Sequence, residues 1–213
     1  MKGGYDDGYL SCQCFWGRQP GRLIRVLADI ISSFDGLEIL DAGCGEGKNA
    51  VYFVGLGAKV RAIDISPHAL WNARQAWDSI LAQRCQWELA DIQNASLPRS
   101  FYDVVIAYGL LHCLPNEKAI LDTVHRFQTC TKMHGYNIIV AFNSRRQDLR
   151  AHPELKPCLL EHCQYVEMYR GWELIRVSDE DLEETHPHNN MRHIHSMTRL
   201  LAKKIEHVHP TSA

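Results

Sequence analysis

The chain has 213 residues, 46% of them hydrophobic and 23% charged, and its 23 basic and 25 acidic side chains leave a formal net charge of −2. That balance gives no basic footprint for a nucleic acid or an anionic membrane, and no apolar run reaches the length of a membrane span. The size fits one domain, 1–213, and eight cysteines without a signal-like start are expected as free thiols of a cytoplasmic protein.

In chain order, the first segment, Tyr5-Asp6-Asp7-Gly8-Tyr9 through Phe15-Trp16-Gly17, is too aromatic for a solvated tail. From Gly21 to Phe34 the apolar residues Leu23, Ile24, Val26, Leu27, Ile30 and Ile31 recur at helical spacing and should cover one sheet face. From Leu37 to Phe142, short β-branched runs alternate with helical patterns, the signature of a parallel sheet wrapped by crossover helices. Strands are expected at 37–42, 58–64, 85–90, 102–108 and 135–142, with helices over 46–56, 67–83 and 115–130. Ser66-Pro67 is an N-cap followed by a first-turn proline, and Leu114-Pro115-Asn116-Glu117 opens the third helix similarly. An insertion over 143–170 should carry a short helix around Leu159-Leu160, before two last strands at about 171–178 and 193–203.

The chemistry-bearing residues fall at strand ends, where open α/β sheets bind ligands. Leu40-Asp41-Ala42-Gly43-Cys44-Gly45-Glu46-Gly47 follows the first strand. Its alternate glycines let the backbone turn sharply and lie against a flat ligand. A dinucleotide fingerprint spaces its second and third glycines three apart, whereas here they are two apart. Asp41 and Glu46 would repel a pyrophosphate, so a nucleoside without phosphate fits better, and S-adenosylmethionine (SAM) is such a ligand. Asp64 ends the second strand and can accept both ribose hydroxyls. Asp91 ends the third, where it can accept from the adenine amino group while Ile92 packs on the ring. Tyr102-Asp103-Val104-Val105 runs on to Tyr108 and then to His112, in the loop where a transferable methyl would be presented.

These four segments, in this order and spacing, resemble class I SAM-dependent methyltransferases. The resemblance implies a doubly wound, seven-stranded, mostly parallel α/β sheet with its last strand antiparallel. It divides the chain into an N-terminal lid and helix (1–35), a SAM-binding core (36–142), a substrate-side insertion (143–170) and a C-terminal hairpin (171–205). It also implies cofactor contacts at Asp41, Gly43, Cys44, Gly45, Asp64, Ile65, Asp91, Ile92 and Tyr108. Within the superfamily, Gly43-Cys44-Gly45-Glu46-Gly47-Lys48-Asn49, Gly135-Tyr136-Asn137-Ile138-Ile139-Val140-Ala141 and Gly171-Trp172-Glu173-Leu174 are most similar to the tellurite-resistance type of small methyltransferase. Where that type places basic residues on the distal hairpin, this chain has Asp181-Leu182-Glu183-Glu184.

The substrate contacts expected from this are Tyr5, Tyr9, Trp16, His112, Glu183, Glu184 and His195, with the aromatic N-terminal segment as lid and His112 as general base. Such a mixture suits an amine or guanidine nitrogen of a small molecule better than an oxyanion. The alternatives are tellurite, selenite or thiol methylation, and a SAM-binding regulator without turnover. No Asn/Asp-Pro-Pro-Tyr segment follows the fourth strand, which argues against a DNA base as target. A monomer or homodimer is expected. Cys12, Cys14, Cys158, His162 and Cys163 do not have zinc spacings and are expected to be packing or surface residues. The run of His186, His188, His193 and His195 could bind a metal, with His193 and His195 on one face of a strand, but it is read as one polar face of a hairpin, so no metal is expected.

Overall fold

In the computed structural model, which describes residues 5–77, 79–185 and 190–206, seven strands form one sheet. They are β1 (Glu38–Ala42), β2 (Lys59–Asp64), β3 (Cys85–Leu89), β4 (Tyr102–Tyr108), β5 (Thr131–Gln147), β6 (Glu173–Glu184) and β7 (His193–Lys203). The order across the sheet is β3-β2-β1-β4-β5-β7-β6. The first five strands run parallel, and β7 is antiparallel to both β5 and β6. The chain reverses its direction of travel between β3 and β4, and the ends of β1 and β4 meet there at a switch point.

The central strands are buried on both faces, because helices cover each side: Ile39, Leu40, Val104, Val105, Ile106 and Ala107 have no exposure. On one face α2 (Arg22–Ile30) turns Leu23, Ile24 and Leu27 inward, each worth roughly 1.5–3 kcal/mol of burial. α3 (Lys48–Gly55) adds Phe53 and Val54 to the same core. On the other face lies α6 (Glu117–Cys130), capped by Asn116, whose side chain accepts from the Ala119 amide at 2.9 Å. α4 (Pro67–Ala76) is capped by Ser66 as the sequence predicts.

Four expectations are corrected. The helix expected over 67–83 ends at Ala76 and resumes as α5 (Ser79–Arg84). Trp77 is extended between them, with its indole N–H donating to the Glu46 carbonyl at 2.7 Å. β5 runs to Gln147, five residues beyond Phe142, because β7 continues to pair with it past a bulge. β6 likewise continues to Glu184, since each residue from Arg176 on has a partner on β7. The insertion's helix is α7 (His162–Glu167), opened by a capping box at Glu161, while Leu160 bridges to Asn143 instead. Among the described residues no helix is long and apolar enough to cross a membrane. His186 and His188 lie outside the described residues. All eight cysteines are free thiols, Cys44, Cys85 and Cys130 among them buried.

Candidate active site

The glycine turn between β1 and α3 is built on left-handed backbone. Gly43, Gly45 and Gly47 have φ of +67°, +54° and +78°, which a side chain would strain. A Cβ on Gly45 would stand 2.8 Å from the Tyr9 hydroxyl, so the lid can lie on this turn only because it is bare. Behind the turn, Asp41 is 1% exposed, and neither carboxylate oxygen meets a partner at hydrogen-bond geometry. Burial, then the negative charge of Asp64, pushes its carboxyl up to about 7. Asp64 holds the turn to β2: its oxygens accept the Gly45 amide at 2.7 Å and the Ser66 amide at 2.8 Å. Burial raises its pKa as well, against the pull of those amides. Asp91 accepts the Gln93 amide at 2.9 Å.

Two adjoining cavities open here. The smaller, about 150 Å³, is lined by Asp64, Ile65, Asp91, Ile92 and Gly43. The larger, about 520 Å³, is lined by Gly43, Cys44, Gly45, Tyr108, Tyr5, Tyr9, Trp16, His112, Phe142 and Glu184. Tyr5, Tyr9, Gly43 and Gly109 belong to both walls, so the two form one bipartite site. Every expected cofactor residue except Asp41 lines it, and Asp41 lies directly behind. A buried carboxylate with two unsatisfied oxygens and a bare cradle above it suits a cationic amino group joined to a nucleoside.

The N-terminal segment covers this site. α1 (Asp6–Ser11) and the following turn are held by Glu46, whose two oxygens accept the amides of Cys14 at 2.8 Å and Phe15 at 2.6 Å. The Asn72 side chain donates to Glu46 at 2.9 Å and to the Tyr9 carbonyl at 2.8 Å. Lys48 reaches the Trp16 carbonyl at 2.8 Å, and Asp6 meets the Ser66 hydroxyl. Thus Glu46, read in the sequence as a carboxylate facing the ligand, anchors the lid.

His112 is 1% exposed in a 3₁₀ turn (Leu111–Cys113) that follows β4. The Phe142 amide donates to its Nδ1 at 3.2 Å, so in the neutral ring Nε2 carries the proton, 3.0 Å from the Tyr5 hydroxyl. Burial, then the neighbouring histidines His195 and His152, drives its pKa down to about 3. The one lone pair of the neutral ring is already engaged by the Phe142 amide, which does not favour the expected base role. His112 instead holds Tyr5 over the site.

Two further expected contacts are displaced. Glu183 is exposed on β6 and paired with Arg192, away from the cavity, because alternate residues of a strand face opposite sides. Glu184, its neighbour, faces in. His195 is fully buried and stacks on Phe142, with ring centroids 4.1 Å apart, while His112 stacks on the opposite face at 4.0 Å. Phe142 therefore separates His195 from the cavity. His193 and His195 face the interior, not solvent, so the polar-face reading of the hairpin is corrected. They cluster with His152 and Glu184, a group that includes none of the cysteines. Sequence reasoning missed Lys48, Arg22 and Arg199, all on the larger cavity's wall. Arg22 and Arg199 both pair with Glu180, at 3.2 and 3.5 Å.

The sheet order and the bipartite cavity at its switch point are those of the class I SAM-dependent methyltransferase fold. Residues 24–198 match the family model described as "Tellurite resistance protein TehB", and the chain belongs to that family. The probable SAM-dependent methyltransferase TehB of Haemophilus influenzae is 26% identical over 171 residues, covering 78% of this chain and 57% of that protein. The mitochondrial ubiquinone biosynthesis O-methyltransferase of Schizosaccharomyces pombe is 31% identical over 110 residues, 44% of this chain and 40% of that one. The crystal structure of TehB from Haemophilus influenzae superimposes with a TM-score of 0.72 at 22% identity, over 86% of this chain and 62% of that one, a likeness of fold. The chain spans about half the length of the curated relatives it matches.

Proposed function

We propose that this protein transfers the methyl group of SAM to the nitrogen of a small, neutral amine. The observation that carries this reading is the larger cavity, aromatic on several sides and balanced in charge. Tyr5, Trp16, Tyr108 and Phe142 line it, while Glu180 is matched by Arg22 and Arg199 and Asp181 by Arg145 at 2.7 Å. Such a wall offers broad apolar contact, with Glu180 and Asp181 already held in ion pairs. Glu183 faces solvent and pairs with Arg192, so it does not serve a guanidinium in the cavity.

When bound, SAM supplies a methyl group made electrophilic by its sulfonium. In this reading Asp41 pairs with the amino group, Asp64 accepts the ribose hydroxyls, and Asp91 and Ile92 receive the adenine. The lid residues Tyr5, Tyr9 and Trp16 exclude water and confine the nucleophile, which lowers the barrier to an in-line displacement. Tyr5, held by His112 and kept neutral by burial, presents its hydroxyl at the boundary of the two cavities. A neutral amine brings its own lone pair, so none of these residues has to remove a proton before transfer.

A second reading, methylation of an oxyanion such as tellurite, is favoured by one observation: Arg199 Nη1 is buried on the wall and, although paired with Glu180 at 3.5 Å, makes no hydrogen bond there. The two separate in a methyl-transfer assay with labelled SAM at pH 8, offered a panel of amines, tellurite and selenite. Label appearing on an amine supports the proposal. Label on tellurite alone overturns it in favour of the oxyanion, and bound SAM without transfer to any acceptor overturns it in favour of a regulator.

A further inference from the structure

Beyond the SAM site, the structure gathers four potential ligands behind the substrate wall. Glu184 and His193 are cross-strand partners on β6 and β7, and His195 follows two residues on, on the same face. His152 arrives from the segment after β5, across the cluster from the hairpin. One donor atom from each of the four lies within 4.8 Å of all the others. His152 Nε2 is 3.2 Å from His193 Nε2, and Glu184 Oε1 is 3.6 Å from His193 Nε2 and 3.8 Å from His195 Nε2. Four donors at about 2.0–2.1 Å from one tetrahedral ion stand about 3.3 Å apart, so the cluster is already near that spacing.

The ring orientations agree. His193 Nδ1 lies 2.8 Å from the Met191 carbonyl, which can only accept, so Nδ1 carries the proton and Nε2 offers its lone pair to the cluster. Gln147 Nε2 donates to the carbonyls of Asn143 at 2.7 Å and Ser196 at 2.9 Å, which fixes its amide with Oε1 outward. That oxygen accepts His195 Nδ1–H at 2.7 Å, so His195 also aims its Nε2 lone pair inward. Outer partners of this kind set the tautomer of metal-binding histidines.

We propose that His152, Glu184, His193 and His195 form a site for one borderline transition-metal dication, zinc in the first instance. Three imidazoles and one carboxylate are a donor set that suits zinc and is too nitrogen-rich for calcium or magnesium. With four protein ligands the site is closed. It ties the insertion to the C-terminal hairpin and fixes Glu184, a wall residue of the larger cavity. That also withdraws the Glu184 charge from the substrate, in keeping with a neutral acceptor. In the metal-free protein His152 Nε2–H donates to His193 Nε2; binding a metal through that nitrogen takes the other neutral tautomer, with the proton on His152 Nδ1.

The test is zinc uptake by the untagged full chain, stripped with chelator and equilibrated with zinc ion alone, metal being measured by atomic absorption. One zinc per chain is expected, with a higher Tm than the stripped protein. His152→Asn and His195→Asn should each weaken uptake by more than the roughly 10–100-fold that loss of an outer partner costs. Gln147→Ala should fall within that range, and His125→Asn, on the exposed side of α6, should bind as the parent does. His152 lies on a loop, so its variant stays informative if the β7 variant misfolds, and circular dichroism of the stripped proteins checks both. A chain that takes up no zinc, or folded variants that bind it as the parent does, overturns the proposal. SAM binding is measured separately, so failure here leaves the methyltransferase reading untouched.

Discussion

At residue scale, the buried carboxylate of Asp41 illustrates how function opposes stability. The group is ordinary in the unfolded chain and raised to about 7 in the fold, so its stabilising contribution is present at low pH and lost as pH rises through 7. Asp41→Asn should therefore stabilise the ligand-free protein at pH 8, by about 1–3 kcal/mol in chemical denaturation, while weakening SAM binding at least tenfold. Unchanged SAM affinity would remove Asp41 from the amino-group role. His112 runs the other way in pH. With a folded pKa of about 3 against an ordinary 6.5, its contribution is present above 6.5 and lost as pH falls through 3. Nitrogen-15 NMR should show its ring neutral, with the proton on Nε2, from pH 7 down to pH 5. Titration near 6.5 would restore the general base that the sequence suggests. The sequence places His112 in the loop after the fourth strand, where it does line the larger cavity. Its role was not legible, because the Phe142 amide that takes the lone pair lies 30 residues away.

At the scale of elements, strands and caps were legible where local chemistry decides them. Ser66-Pro67 and Asn116 open helices where the pattern says, and β1, β2 and β4 fall within a residue of expectation. The misplaced boundaries are those decided by tertiary contacts. No glycine or proline marks the break at Trp77; an indole bond to the Glu46 carbonyl makes it. Nothing in Asn143-Ser144-Arg145-Arg146-Gln147 reads as a strand, yet β7 supplies the pairing and Arg145 is held by Asp179 at 3.0 Å. The lid is the clearest case, since its aromatic composition is visible but its anchor is not. Glu46→Ala should leave the Cys14 and Phe15 amides without acceptors and speed hydrogen exchange of residues 5–17 at least tenfold, an opening free energy lower by about 1.4 kcal/mol, with β1 and β4 unchanged. Exchange unchanged in the lid would show that aromatic packing alone seats it.

At the scale of the whole molecule, the sheet brings the ends of β1, β2 and β4 to one edge, and the N-terminal segment and the hairpin close over them, while the insertion over 143–170 lines neither cavity. Glycine spacing and strand-end acids made legible which residues line the smaller cavity and the turn beside it, because backbone conformation and strand-end placement dictate them. The rest of the larger cavity was not legible, because its walls come from segments far apart in sequence, as with Arg22, Phe142, Glu184 and Arg199. Coupling of Asp41 to the ligand gives a global signature: SAM should raise Tm more at pH 7.5 than at pH 5.5, since pairing with the amino group relieves a charge present only at the higher pH. An equal or larger rise at pH 5.5 would contradict that coupling. The SAM site itself is measured by calorimetric titration of SAM into the parent protein and into Asp64→Ala. The parent should bind one SAM per chain without competition from NADH, and the variant should lose about 2–4 kcal/mol, the worth of charge-assisted bonds to the ribose. A folded parent that binds no SAM, or an Asp64→Ala protein that binds it equally well, would leave no SAM site at this switch point.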